Sequence, residues 1–289
     1  MIMIVADNPK VAMSSNIPIN PGSAPVDPNI EAAAERLTKA FLSGQPCAPI
    51  IDLIKADDVD SAYQIQTLFN TARQWQGTKV VGRKIGATSE VVQVQLGVDQ
   101  PDFGVLFEDM QYADGDTVSM ERLLQPKAEA EIAFVLDRDL ADGDLDVEQC
   151  RAAVAYATAA LEIVDSRIMD WDISFADTVA DNASSGVYVL GSIRKSLAEF
   201  VPVEAQMTMT IDDELVSAGD GAACLGDPLH ALTWLARRAR EFGEPLRAGQ
   251  VVLSGALGPM RPVKPGSVVT AHITGLGSVT ARFPTMSTD

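Results

Sequence analysis

Two glutamates stand one residue apart in Lys127-Ala-Glu129-Ala-Glu131-Ile-Ala-Phe-Val-Leu136. Ala130, Ile132, Phe134 and Leu136 take the alternate positions of the same run. Such alternation predicts a strand, whose side chains leave on opposite faces in turn. Glu129 and Glu131 then share a face, with Cβ atoms about 6–7 Å apart at a rise of roughly 3.3 Å per residue. On a helix they would diverge. Two anions side by side on a half-buried strand repel each other, and a divalent cation can compensate them. A third carboxylate, Glu162, sits in the apolar run Ala-Leu-Glu-Ile-Val164, where a bare charge is costly. Three carboxylates with no histidine nearby suit a hard ion, Mg²⁺ or Mn²⁺, better than zinc. The two histidines, His230 and His272, lie in another region. The plainer reading of Glu-x-Glu is a solvated strand face; Glu162 in its apolar setting weighs against that.

Val80-Val-Gly-Arg-Lys-Ile-Gly-Ala-Thr88 puts Arg83 and Lys84 at a strand end, ahead of Gly86. Backbone N–H groups near Gly86 and a charge-assisted lysine would make an anion-holding site. Two solvated surface cations fit the same spacing, which does not decide between them. Leu96–Gly104 is a turn-rich loop in which Asp99 and Asp102 read as turn formers. Asp181-Asn182-Ala-Ser184-Ser185-Gly186 is a loop of small polar residues. Its serines could receive a carboxylate, and an ordinary turn explains them equally. Gly275-Leu-Gly277 has no helix after it and is no dinucleotide loop; no Walker loop and no Gly-x-Ser-x-Gly elbow occurs.

The elements that must carry these residues follow from periodicity. A helix is predicted over about Ile30–Leu42, capped by Asn29, and a second from near Asp58 to Trp75. Strands are predicted at Lys79–Ile85, Glu129–Leu136, Leu161–Val164 and Val187–Leu190. Met207–Ile211 and Glu214–Ser217 should form a hairpin around Asp212-Asp213. Asp227-Pro228 begins a helix with Leu229, Leu232, Leu235, Ala239 and Phe242 inward. The tail is β, with strands at Val251–Ser254, Ser267–Thr274 and Ser278–Phe283. No regular βαβ alternation appears, so the fold class is α+β with a mainly β catalytic part. The expected division is a flexible extension over 1–29, a helical part over 30–80 and a β-rich domain over 81–289.

With 47% hydrophobic residues the chain can bury a substantial core. A net charge of -18 disfavours nucleic acid and anionic lipid as partners, and means that an anionic substrate needs local positive charge. Cys47, Cys150 and Cys224 are far apart and odd in number, which argues for reduced thiols and a cytoplasmic protein. No apolar run reaches the roughly 18–20 residues of a membrane span, and the N-terminus lacks a secretory pattern.

Several blocks, taken in order, carry a resemblance. They are Gly82–Gly86, Gln95–Gly104, Leu124–Ala133, Ala160–Val164 with Ser166-Arg-Ile168, Asp177–Ser184, Cys224–Leu229 and Leu253–Met260. Together they resemble the 2-hydroxypenta-2,4-dienoate hydratases (2-keto-4-pentenoate hydratases). These form part of the hydratase/decarboxylase branch of the fumarylacetoacetate-hydrolase-like superfamily. The likeness spans about Ile30 to Phe283. It implies a β-roll core with an N-terminal helical part, a homo-oligomer, and a hydro-lyase acting on a small 2-hydroxy-dienoate in aromatic catabolism. It also implies metal ligation by Glu129, Glu131 and Glu162, proton transfer by Lys84 and Asp102, and substrate contacts along Asp181, Asn182, Ser184 and Ser185. Arg83 and Gly86 are expected to bind substrate as well, and Ser254 matches a substrate-contacting turn. One departure is Ala87, where many relatives carry a larger apolar residue. The nearest alternative is a 4-oxalocrotonate-type decarboxylase using the same chelate. A C–C hydrolase would need a histidine dyad, and no histidine precedes position 230. A non-catalytic 2-keto-acid-binding protein is the alternative from another class.

Overall fold

The computed structural model describes residues 26–89, 93 and 100–285. Most of the expected extension, and Asp99 with it, lies outside the described residues.

Two helices come first. α1 (Pro28–Ser43) is capped by Asp27 rather than Asn29: the Asp27 carboxylate accepts the Asn29 N–H, and Pro28 takes a position where its missing N–H costs nothing. α2 (Val59–Trp75) is capped by Asp58. After them come β1 (Val80–Gly86), β2 (Asp102–Phe107), β3 (Gln111–Ala113) and β4 (Lys127–Leu136). A short helix α3 (Val147–Ala152) leads to β5 (Val154–Val164), and α4 (Phe175–Ala180) leads to β6 (Ser185–Leu190). The hairpin β7 (Gln206–Ile211) and β8 (Glu214–Asp220) turns through Asp212 and Asp213, both at positive φ, as a two-residue hairpin loop demands. Helix α5 (Pro228–Glu241) starts at Asp227-Pro228 as expected, and β9 (Val251–Ala256), β10 (Arg261–Pro262), β11 (Val268–Ile273) and β12 (Gly277–Arg282) close the chain.

The strands form two sheets. The larger runs β2-β1-β9-β4-β5-β6-β3, with β10 also on β4; the smaller runs β12-β11-β7-β8. Most neighbours are antiparallel, and β1–β9 and β3–β6 are parallel. β2 near one end of the larger sheet touches β6 near the other, so the sheet curls into a roll. Its outer face carries Ala128, Ala130, Ile132 and Phe134 into one continuous core with Leu37, Ile65, Leu232 and Val269. The helices of residues 30–80 therefore share their core with the sheets. The inner face holds a smaller apolar cluster around Leu106, Ala133, Ala160, Tyr188 and Leu253.

Three expectations need correction. Asp102 does not sit in a turn; it opens β2, a strand buried along its whole length. Burial on both faces removes the alternation by which a strand is recognised. β5 begins seven residues earlier than Leu161, in an Ala-rich stretch that is buried on both faces only from Ala157 onward. Phe242 is 43% exposed rather than inward, because it caps α5; its ring still lies against Tyr63 and Phe103, centroids 4.7 and 5.5 Å away.

Candidate active site

Lys84 lies on β1 with its side chain on the inner face of the roll, since it pairs in register with Gly104 on β2 and Leu253 on β9. It is buried, and its Nζ stands 3.0 Å from Glu162 Oε1 and donates to the Ala183 carbonyl at 2.8 Å. Burial alone would pull this amine down. Glu162, Glu129, Asp102 and Glu131 reverse that and raise it above the ordinary lysine value, so it stays an ammonium ion.

The register of β4 on β5 sets Glu129 directly opposite Glu162, and Glu131 two positions on, opposite Ala160. All three share the inner face. Glu131 and Glu162 are buried; Glu129 keeps partial contact with solvent. Glu131 Oε2 accepts the Gly255 N–H at 2.8 Å, while its Oε1 and Glu162 Oε2 have no hydrogen-bond partner and Glu162 Oε1 has only the Lys84 ammonium beside it. Burial, reinforced by Glu162, pushes Glu129 up to about 7 against the pull of Lys84. Glu131 is raised well above the carboxylate range by burial, then by Glu162 and Glu129. Bare buried carboxyl oxygens without donors are expensive. Oxygen-only donors of this kind match a hard divalent cation. The carboxylates do not stand as a ready-made cluster: among the described residues, no three acidic, histidine or cysteine side chains are close enough to hold an ion as placed. The register keeps all three on one face, and an ion would have to draw their side chains together.

Asp102 pairs with Gly86 across β1 and β2. Burial lifts its carboxyl to about 6 despite the nearby Lys84, with Glu162 adding to the rise and the Thr178 hydroxyl opposing it. Thr178, on α4, also lies 3.1 Å from Ser184 Oγ and so ties Asp102 to the 181–185 loop. Nothing in its residue type marked it beforehand. A Cβ on Gly86 would stand 2.2 Å from Asp102 Oδ1. Gly86→Ala should therefore keep its fold by circular dichroism yet lose about 10²-fold in turnover, the scale of a 1 Å misplacement. Ala87, which follows, has φ 52°, a left-handed backbone that a β-branched residue would strain.

Other expected site residues are committed elsewhere. Arg83 points to the outer face, as the neighbour of Lys84 on a strand must, and pairs with Glu244 at 2.6 Å. That places it on the face opposite Lys84, away from the carboxylates. Asp181 is fully buried against Arg167. The Asn182 amide holds both the N–H and the carbonyl of Val105, and also donates to Ser185 Oγ at 2.6 Å. Asp181, Asn182 and Ser185 thus spend these polar groups on holding the loop together. Ser254 is fully buried, accepts the Ile132 N–H and donates to Gly255 O. Cys224 donates to Gly255 O as well, at 3.0 Å, and Thr88 crowds Gly255. These residues shape the strand that offers Gly255 N–H to Glu131.

The raised carboxyls have a consequence for stability. Asp102 at about 6 and Glu129 at about 7 lie above their unfolded values. Between pH 4 and 7 the folded chain then binds more protons than the unfolded one, so stability falls as pH rises through that window. Thermal melts of chelator-treated protein should show Tm declining from pH 5 to 8, with excess Mg²⁺ flattening the slope. A Tm that climbs with pH in the chelated protein would contradict these shifts.

A mixed roll with carboxylates around one buried lysine has counterparts among known proteins. The family described as fumarylacetoacetate (FAA) hydrolase C-terminal matches residues 78–284. A 2-keto-4-pentenoate hydratase of Burkholderia vietnamiensis (strain G4 / LMG 22486) is 53% identical over 89% of this chain and 98% of its own. Another, from Paraburkholderia xenovorans (strain LB400), is 54% identical over 88% and 94%. A solved 4-oxalocrotonate decarboxylase from Pseudomonas putida G7, complexed with magnesium and adipate, superposes with a TM-score of 0.84 at 33% identity, over 88% of this chain and 97% of that one. The chain belongs to the fumarylacetoacetate hydrolase family and, within it, to the 2-keto-4-pentenoate hydratases.

Proposed function

We propose that the protein is a metal-dependent hydro-lyase that adds water to 2-hydroxypenta-2,4-dienoate, giving 4-hydroxy-2-oxopentanoate in the degradation of aromatic compounds. One observation carries this reading: Lys84 is buried among Asp102, Glu129, Glu131 and Glu162 in a chain more than half identical to hydratases. Glu129, Glu131 and Glu162 would hold Mg²⁺ or Mn²⁺. Bound there, the ion would withdraw electrons from a 2-oxo acid and offset the carboxylate charge. The magnesium in the decarboxylase neighbour supports the ion, and a homo-oligomer belongs to the same proposal.

The chain's own groups supply the proton handling. The dienol loses its hydroxyl proton and gains one at C5, giving 2-oxopent-3-enoate. Water then adds across C3=C4, hydroxyl to C4 and hydrogen to C3. Asp102, near 6, exists in both protonation states close to neutral pH, so it can take a proton from water and return one to carbon. The Lys84 ammonium, fixed by Glu162 and Ala183 O, stabilises negative charge that develops on the substrate oxygen.

The test is loss of the dienoate's ultraviolet absorbance with and without Mg²⁺, and identification of the product by NMR. Release of CO₂ from a dicarboxylic 2-oxo acid, with the five-carbon dienoate left unchanged, would instead assign the decarboxylase reaction of the structural neighbour. Unchanged dienoate and no CO₂ would leave only binding.

A further inference from the structure

We infer that Arg167, which no part of the proposed chemistry uses, is a positioning residue that fixes Lys84 through the 181–185 loop. The inference rests on the assignment of Lys84 above. Arg167 is 3% exposed, and its guanidinium engages both ends of that loop. Nε donates to the Asp181 carboxylate, Nη2 to the Asp181 carbonyl at 2.6 Å, and Nη1 to the Ser185 carbonyl at 2.6 Å. Its backbone N–H adds a bond to Asp181 Oδ2 at 2.9 Å. Between those two anchors, Asn182, Ala183 and Ser184 have φ of 55°, 52° and 50°.

Three successive non-glycine residues in the left-handed region are costly and persist only where the surroundings hold them. Arg167 is the group that spans the strained stretch. The middle residue of the three, Ala183, turns its carbonyl to Lys84 Nζ at 2.8 Å. A carbonyl cannot be protonated away or titrated, so it gives the ammonium a fixed partner beside Glu162. The planar fork of arginine suits this task, since it reaches two carbonyls and a carboxylate in one plane, as lysine cannot. An Arg and Asp pair buried this deeply is a weak source of net stability, which agrees with a role in geometry.

The experiment compares Arg167→Lys and Asp181→Asn with the wild type, each also in a Lys84→Met background, on protein shown folded by circular dichroism. Arg167→Lys should lower kcat about 10–100-fold, while KM and Mg²⁺ affinity by calorimetry move less than about twofold. In the Lys84→Met background the same substitution should change the rate by less than about twofold, because its target is gone. Added guanidinium should restore part of the activity of Arg167→Ala. Unchanged kcat in Arg167→Lys, or an effect fully additive with Lys84→Met, overturns the inference. So does failure of both Arg167→Lys and Asp181→Asn to fold, which would make the pair purely structural. Wild-type activity in Lys84→Met alone would instead defeat the role assigned to Lys84.

Discussion

Lys84→Met should lose about 10²–10⁴-fold in turnover, the usual contribution of a positioned acid or charge-stabilising group. The same variant should bind Mg²⁺ more tightly than the wild type. Lys84 Nζ lies 3.0 Å from Glu162 and interacts with Glu129, Glu131 and Asp102. Removing its charge takes away the ion-pair partner of Glu162 and the cation nearest to the other three carboxyls. In the metal-free protein that should cost roughly 3–5 kcal/mol, as when one partner of a buried pair is deleted. Added Mg²⁺ should recover much of the loss, since an ion bound only by the folded form stabilises it by mass action. Opposite movements of turnover and Mg²⁺ affinity are the signature. A variant that loses both together would mean that Lys84 serves the site's structure and not its chemistry.

Glu131→Gln should behave in the reverse way toward stability. Glu131 is buried, one of its oxygens accepts nothing, and its charge is disfavoured by Glu162 and Glu129. Glutamine keeps the bond from Gly255 N–H, 2.8 Å in the wild type, and removes the charge. Chelated Glu131→Gln should therefore melt no lower than chelated wild type, and the Mg²⁺-dependent rise in Tm should disappear. Turnover should fall on the order of 10³-fold, since losing several kcal/mol of Lewis-acid stabilisation costs a factor of ten per 1.36 kcal/mol. Differential scanning calorimetry with and without Mg²⁺, beside the dienoate assay, reads all three. A full Mg²⁺ shift in this variant would remove Glu131 from the proposed ligand set.

Together these variants separate two causes that one activity loss would merge. On the proposed reading, Lys84 would compensate the carboxylates when no ion is bound and act on substrate when one is, and Glu131 would burden the metal-free fold for the sake of the ion it binds. Stability and affinity move in opposite senses for the two residues because their charges do.

Some of this was legible from single segments. A two-residue period places Glu129 and Glu131 on one face whatever the strand packs against. Asp58 and Asp227-Pro228 mark helix starts by local capping, and Asp212-Asp213 marks a hairpin by local φ preference. Other features had no local signature. Asp102 looked like a turn residue because β2 is buried on both faces and does not alternate. Arg83 and Lys84 are adjacent cations of equal promise in the chain, yet one meets Glu244 on the outer face and the other Glu162 inside the roll. Asp181 and Asn182 have the composition of a ligand loop, but tertiary partners, Arg167 and the Val105 backbone, consume them.

The chain alone determined that two carboxylates would share a strand face, that its charge would repel polyanions, and where α2, α5 and the β7–β8 hairpin would begin. Each follows from rules that act over a few residues or over the whole composition. Only the tertiary structure decided that Glu162 lies opposite Glu129, that Lys84 enters their midst, and that Arg167 clamps the loop beside it. Register between strands far apart in sequence is set by how both faces of the roll pack, and no local pattern encodes it.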